Sequence, residues 1–180
     1  MRFKHLFAAA ALAFSATAVS PAMAANCPAE GFVKSAGSAF VSAANSGSPQ
    51  AFVNAASRFS DLRGVAMFAL GYHRKEMPKA LEAEYVRLAR DFMGRKMAKY
   101  AGRISGANLT VTTCSGNTVT AVTSSGNKLV FRLSGGPGSY RVQDVNVSSI
   151  WLAGQMRSTF AGVMNRNNGG VPALMAYLRR

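Results

Sequence analysis

The sequence predicts an α+β fold in which helices pack over a twisted four-stranded antiparallel sheet. Two changes in the period of the apolar residues indicate this class. Apolar residues recur at helical spacing up to about residue 101, alternate at strand spacing from Asn108 to Val147, and then return to helical spacing. Helices, then strands, then helices along one chain are typical of a single α+β domain.

Residues 1–24 have the composition of a secretory signal peptide. Arg2 and Lys4 form a basic start, an apolar run of small residues follows, and Ala22-Met23-Ala24 is a small-x-small cleavage site. The apolar run is shorter than the roughly 20 residues that a membrane-spanning helix needs. We therefore expect export, cleavage after Ala24, and one domain over residues 25–180.

The two cysteines of the chain are Cys27 and Cys114. Export would place them in an oxidising compartment, so we expect a disulfide between them. It would tie the N-terminal segment to the first strand across a long loop, which the chain-entropy model makes worth about 4–5 kcal/mol. A reactive thiol is the alternative, but neither cysteine follows an obvious helix start or a basic pair.

Four helices are predicted before the strands, because apolar residues keep helical spacing between capping and stop residues. The first helix stops at Asn45-Ser46-Gly47, and the second is capped by Ser48 with Pro49 in its first turn. The third is capped by Ser60 or Asp61 and stops at Gly71. The fourth starts at Pro78 and ends near Ala101.

Four Thr- and Val-rich runs then predict an antiparallel meander, since Ser-Gly-Asn turns separate the first three. The runs are Leu109 to Cys114, Thr118 to Ser124, Lys128 to Ser134 and Tyr140 to Val147. Alternation within them leaves one apolar face for helices to cover. Two further helices, over 149–165 and 171–178, are predicted to complete the domain.

The charge balance favours an anionic partner or surface. The chain has 21 Lys and Arg against 7 Asp and Glu, which gives a net charge of +14. Two of the basic residues, Arg2 and Lys4, lie in the predicted signal peptide. Such a charge attracts lipid headgroups, acidic proteins or nucleic acid, and export makes nucleic acid the poorest of the three. The alternative is a solvated basic surface that keeps an apolar protein soluble.

The polar residues predict no enzyme. His73 is the only histidine left after cleavage, and its neighbours Arg74 and Lys75 would disfavour the imidazolium that a general base must form. We expect His73 in a surface loop. Glu82 and Glu84, two residues apart on a helix, cannot form a carboxylate dyad. No cluster has metal-ligand spacing, so neither a metal nor another cofactor is expected.

Methionine and phenylalanine give the positive signal, with nine Met and eleven Phe in the chain. Met suits irregular apolar space and promiscuous apolar surfaces. We expect the longest helix and the helix at 149–165 to close over the concave sheet face and leave an internal apolar cavity. The expected lining residues are Tyr85, Phe92, Met93, Met97, Met156 and Phe160. The alternative is an interior filled by its own side chains, in a non-enzymatic binding or adaptor module.

In the tail of the chain a strand ends in Asp144, and the next helix carries Arg157, then Ser158, and Phe160 three residues beyond the Arg. In this pattern the tail resembles the MlaC (toluene-tolerance) family of periplasmic phospholipid carriers. Upstream, Leu70-Gly71-Tyr72 is similar to the family's Leu-Gly-x-Tyr element.

The chain also departs from the family pattern. Ser149 stands where the family usually has Gly, Trp151 where it usually has Ser, and His73 where it usually has Trp. These departures bear on the shape of the turn that enters the helix and on the preferred lipid.

The resemblance implies a single lipid-binding domain that carries phospholipid through the periplasm. Its partners would be an outer-membrane lipoprotein complex and an inner-membrane ABC transporter complex with a periplasmic lipid-binding domain, and the traffic would maintain outer-membrane lipid asymmetry. A hopanoid-like lipid is the alternative cargo. Exposing two acyl tails to water would cost on the order of 20 kcal/mol at ~0.8 kcal/mol per CH₂. A carrier therefore needs a pocket toward the upper end of roughly 300–1,000 Å³.

For Arg157 and Trp151, the sequence allows both a structural and a functional role. Arg157 falls at the edge of the apolar arc of its helix. We expect a structural ion pair between Arg157 and Asp144, with contact to a lipid headgroup as the alternative. Trp151 points away from the same arc, so it is either packed against a strand or offered to a partner.

Overall fold

The computed structural model of the chain describes residues 27–166 and 169–180, so the predicted signal peptide and its cleavage site lie outside the described residues. Its α-helices are α1 (Glu30–Ser46), α2 (Pro49–Phe59), α3 (Leu62–Ala69), α4 (Lys79–Ala98), α5 (Leu152–Asn165) and α6 (Gly170–Leu178), with 3₁₀ segments at Gly71–Glu76 and Ala101–Arg103. Its strands are β1 (Leu109–Ser115), β2 (Thr118–Thr123), β3 (Lys128–Ser134), β4 (Arg141–Val147) and β5 (Ile150–Trp151). The predicted α+β class is confirmed.

The helix ends follow the local signals. Gly47 ends α1 in the left-handed conformation with a φ of 63°, which glycine adopts without a steric penalty. The Ser48 hydroxyl accepts a hydrogen bond from the Ala51 N–H at 3.4 Å. Of the two candidate caps for α3, Asp61 is the one used, and its Oδ1 accepts from the Gly64 N–H at 2.9 Å.

The sheet has five antiparallel strands in the order β1-β2-β3-β4-β5, one more than predicted. The extra strand pairs Ile150 with Val147 and is only two residues long. A segment this short shows no period-2 alternation, and the sequence assigned it to the following helix. Ser148 and Ser149 form the turn with φ values of 50° and 68°, the two positive values that a type I′ hairpin turn requires.

The buried residues divide into three clusters. The sheet core lies between α1 and the sheet, with Val33, Val119, Phe131 and Val142 among its members. The helical core joins α3, α4, α5 and α6. A small third cluster, the α1–α2 core, is built around Phe52. The helical core and the sheet core are the two larger apolar clusters.

Cys27 and Cys114 form a disulfide with their Cα atoms 5.7 Å apart, and so fix the start of the described chain to β1. Within residues 27–166 and 169–180, no helix has both the length and the apolar character that crossing a membrane requires.

Candidate functional site

Four of the six residues predicted to line a cavity are buried together in the helical core. Tyr85 and Phe160 have no exposed surface, and Phe92 and Met156 are almost fully buried. The rings pack edge to face, with centroids 5.4 Å apart for Phe92 and Phe160 and 6.3 Å apart for Tyr85 and Phe160. These side chains contact one another instead of facing an open space.

Tyr85 has a polar role within this apolar cluster. Its hydroxyl donates a hydrogen bond of 2.6 Å to the backbone carbonyl of Ala66, which ties α4 to α3. Burial raises the pKa of the Tyr85 phenol above its ordinary value of 10.0, because the charged phenolate would be poorly solvated there. The phenol therefore stays neutral and acts as a hydrogen-bond donor.

The other two predicted lining residues are placed differently. Met93 is partly buried and packs against the edge of the helical core. Met97 lies outside it and packs against the α1–α2 core. Met93 and Met97 are one turn apart on α4, but the last turn of that helix faces α1 and α2. Met97 therefore lies in a different apolar cluster from the other five predicted residues.

The helical core is rich in flexible side chains. Five of its buried members are methionines: Met67, Met77, Met156, Met164 and Met175. Methionine has three rotatable bonds and a polarisable sulfur, so it can fill spaces of different shapes. A core of this composition can repack around a guest at less cost than one built from β-branched residues.

A cleft of about 190 Å³ opens where the helical layer meets the sheet. Val65 and Phe68 of α3 and Ala153 of α5 form one side, and Arg132 and Asp144 of the sheet form the other. The volume is below the range expected for a lipid pocket, and none of the six predicted residues is in its wall. A second cleft of about 530 Å³ lies between α5 and α6.

Asp144 holds the start of α5 and is not paired with Arg157. Its carboxylate Oδ1 accepts hydrogen bonds of 2.8 Å from the N–H groups of Ala153 and Val145. The first turn of α5 has no side-chain cap of its own, so a buried carboxylate there satisfies a free N–H and complements the helix dipole. Among the described residues no ion pair joins Asp144 to Arg157, which corrects the expected pairing.

Arg157 and Trp151 each take part in a cation–π pair, with Phe68 and Arg132 respectively. The Arg157 guanidinium lies 5.3 Å from the ring centroid of Phe68, and the Arg132 guanidinium lies 4.3 Å from the ring centroid of Trp151. Trp151 is half-buried in β5 and pairs with Asn146. Arg157 is exposed at the surface beside the cleft.

His73 is buried, contrary to the expected surface loop. Its Nδ1 lies 2.7 Å from Glu76 Oε2, and its Nε2 lies 3.2 Å from Asn165 Oδ1. The Tyr72 hydroxyl donates to the same Asn165 oxygen at 2.6 Å. The imidazole thus connects the 3₁₀ segment to the end of α5, while Arg74 beside it remains exposed.

Two residues of the cleft were not identified from the sequence. Phe68 was one of several apolar residues on a short helix, and Arg132 was one outward position of β3. The alternation of Arg132 with Phe131 could have placed it on the opposite sheet face, but only the three-dimensional arrangement brings α3 to that face. In the described part of the chain, no group of three or more His, Cys, Asp or Glu stands where it could hold a metal ion.

Comparison with known proteins adds three findings. A family model described as "MlaC protein" matches residues 42–180. No curated protein matches the chain. A solved structure, the phospholipid-binding protein from Ralstonia solanacearum in complex with a phospholipid, superposes with a TM-score of 0.69 at 18% sequence identity, over 84% of this chain and 94% of that one. At this identity, the superposition shows a shared fold.

Proposed function

The chain belongs to the MlaC family, and on this premise we propose that it is a periplasmic carrier that holds phospholipid acyl chains in its apolar interior. In this proposal it moves lipid between an outer-membrane lipoprotein complex and an inner-membrane ABC transporter complex with a periplasmic lipid-binding domain. The traffic would maintain the lipid asymmetry of the outer membrane.

The observation that carries the proposal is the separation of the apolar interior into two layers. The helical core and the sheet core are distinct clusters, and the 190 Å³ cleft opens between α3, α5 and strands β3 and β4. The helical core can therefore repack around a guest while the sheet core keeps its own packing. A single continuous core could not admit a guest without disturbing all of its packing.

The 190 Å³ cleft is too small to hold two acyl tails. Two acyl tails need to be removed from water at about 0.8 kcal/mol per CH₂, and a cleft of about 190 Å³ cannot cover them. In this proposal α3 and α5 move away from the sheet when lipid binds. The methionines of the helical core would then repack along the tails.

Our proposed tail contacts are the predicted residues that lie in or against the helical core, namely Tyr85, Phe92, Met93, Met156 and Phe160. Arg157 is proposed to contact the headgroup. It is exposed next to the cleft and has no carboxylate partner among the described residues, so its guanidinium can pair with a phosphate.

The proposal is tested by mass spectrometry of protein purified from an exporting host. We expect co-purified phospholipid in the wild-type protein and less of it in Met156→Gln, because an amide in the tail-binding region is costly to desolvate. Met97→Gln is the matched control, since Met97 packs in the α1–α2 core, and its lipid content should match wild type. Wild-type protein that is free of lipid and exchanges none with vesicles contradicts the proposal.

The close packing of the helical core also favours a second candidate, a non-enzymatic binding or adaptor module. Tyr85 and Phe160 are fully buried by protein atoms, as such a module would require. The same mass spectrometry selects this candidate if no lipid is found, and a hopanoid-like cargo would be recognised there by its mass.

A further inference from the structure

The 190 Å³ cleft contains charges of both signs that do not pair with each other. Asp61 and Asp144 supply two carboxylates to its wall, and Arg132 supplies a guanidinium. Arg132 and Asp144 are directly opposite in the pairing of β3 with β4, yet no salt bridge of the described chain joins Arg132 to either carboxylate. We call this opening the charged cleft, after Asp61, Arg132 and Asp144. Opposite charges that line one cleft without contact leave room between them for a ligand that carries both charges.

The guanidinium of Arg132 is held in place by an aromatic ring. It lies over Trp151, 4.3 Å from the ring centroid. A ring on the face of a guanidinium leaves the N–H edge free to bind a phosphate through two parallel hydrogen bonds. A second guanidinium, that of Arg157, lies over the ring of Phe68 at 5.3 Å, and Phe68 is itself in the wall of the cleft. The cleft therefore has a cationic side.

The two carboxylates each have one oxygen without a donor among the described residues. In Asp144, Oδ1 accepts two backbone N–H groups, and no described residue donates to Oδ2. In Asp61, Oδ1 accepts the Gly64 N–H, and Oδ2 again has no described donor. Asp144 is only 9% exposed, so little water reaches its carboxylate. An ammonium group of a ligand would supply the missing donor in a charge-assisted hydrogen bond.

The size and position of the charged cleft suit the polar end of a lipid. A cavity of about 150 Å³ holds a benzene molecule, so about 190 Å³ holds a group of similar bulk, such as phosphoethanolamine. Val65 lines the cleft and also packs against the helical core. A headgroup in the cleft would therefore lie next to the cluster in which we place the acyl tails.

We propose that the charged cleft binds the headgroup of a zwitterionic phospholipid, one with an ammonium group beside its phosphate. Arg132 binds the phosphate, with Arg157 next to it, and Oδ2 of Asp61 and of Asp144 accept from the ammonium. This inference rests on the proposed carrier function and adds the class of lipid. An anionic headgroup such as that of phosphatidylglycerol is disfavoured, because it brings a phosphate into the cleft and no cation for the two carboxylates.

The test is a competition between two lipids that have the same acyl chains. The protein is incubated with vesicles that contain equal amounts of phosphatidylethanolamine and phosphatidylglycerol, and the lipids that it retains are counted by mass spectrometry. We expect wild-type protein to hold about fivefold more phosphatidylethanolamine or better, since only this lipid supplies an ammonium donor.

Asp61→Asn removes one charge of the cleft and keeps an equally good helix cap. We expect the preference for phosphatidylethanolamine to fall by about two- to fivefold, the range for a partly exposed charge pair. The matched control is Glu30→Gln, which removes another exposed carboxylate at the start of a helix, on α1 and outside the wall of the cleft. Its lipid ratio should equal that of wild type. Arg132→Gln should lower the amounts of both lipids, because both carry the phosphate.

The ratio of the two lipids tests the headgroup site, and their total amount tests the carrier proposal. Lipids retained in the proportion of the vesicles, or a preference for phosphatidylglycerol, overturn the headgroup site and leave the carrier proposal intact. An equal change of ratio in Asp61→Asn and Glu30→Gln also overturns the site. Protein that retains neither lipid overturns the carrier proposal, and the headgroup site with it.

Discussion

At the scale of single residues, Asp144 was correctly singled out from the sequence, but its predicted partner was wrong. The nearest cation on the apolar helix, Arg157, suggested an ion pair. In the structure the carboxylate instead accepts the Ala153 N–H, because the first turn of a helix offers free donors at a fixed position. Arg157 is thereby left available for the surface.

The two interpretations of Asp144 predict different energetics. Asp144→Ala should lower the free energy of unfolding by about 2–3 kcal/mol, because it removes a buried acceptor of two backbone hydrogen bonds. Arg157→Gln should cost less than about 0.5 kcal/mol, as exposed substitutions do. Urea denaturation of both variants and of the double variant measures the coupling between them.

We expect this coupling energy to be close to zero. The control is Asp61→Ala, which removes an exposed helix cap and should cost about 1 kcal/mol. A coupling of 1 kcal/mol or more, on the scale of contacting pairs, would restore the ion pair and refute the anchoring role.

At the scale of elements, a glycine decides how closely two helices approach. A Cβ on Gly94 of α4 would lie 2.6 Å from the carbonyl oxygen of Pro49 and 2.6 Å from Val53 Cγ2, both on α2. Gly94→Ala should therefore destabilise the protein by about 1–3 kcal/mol through overpacking, although alanine favours a helix over glycine. Thermal or urea unfolding measures the change.

Gly162 of α5 is the matched control for this prediction. It lies inside a helix, and no heavy atom of a neighbouring element stands within 4 Å of the position of its Cβ. Gly162→Ala should stabilise the protein by about 0.5–1 kcal/mol. Opposite signs at the two glycines are the expected result, and a stabilising Gly94→Ala would mean that α2 and α4 are not in close contact.

The elements also show what a sequence can and cannot predict here. Caps and stops such as Gly47 and Asp61 act within a few residues, so most helix ends were placed within about three residues from the sequence. The β2–β3 hairpin was likewise predicted from a local signal, the Ser125-Gly126-Asn127 turn. By contrast, the position of Met97 depends on which neighbours α4 meets along its length, and the burial of His73 depends on Asn165 at the far end of the chain. Periodicity along one segment contains no information about either.

At the scale of the whole molecule, the two larger apolar clusters differ in how they are held together. The sheet core is fixed by strand pairing and by the Cys27–Cys114 disulfide. The helical core depends mainly on side-chain packing and contains five buried methionines. If one layer moves to admit a lipid, it is therefore the helical layer.

The central claim, that acyl tails enter the helical core, is tested most directly by NMR of the protein labelled with ¹³C at its methionine methyl groups. On addition of phospholipid, we predict large shifts for Met156 and Met164 and cross-peaks from both to the acyl chain, because both are buried in the cluster that we propose to hold the tails. Met97 should remain unchanged, since it packs in the α1–α2 core. Methyl signals of Met156 and Met164 that neither shift nor contact the acyl chain would contradict the account.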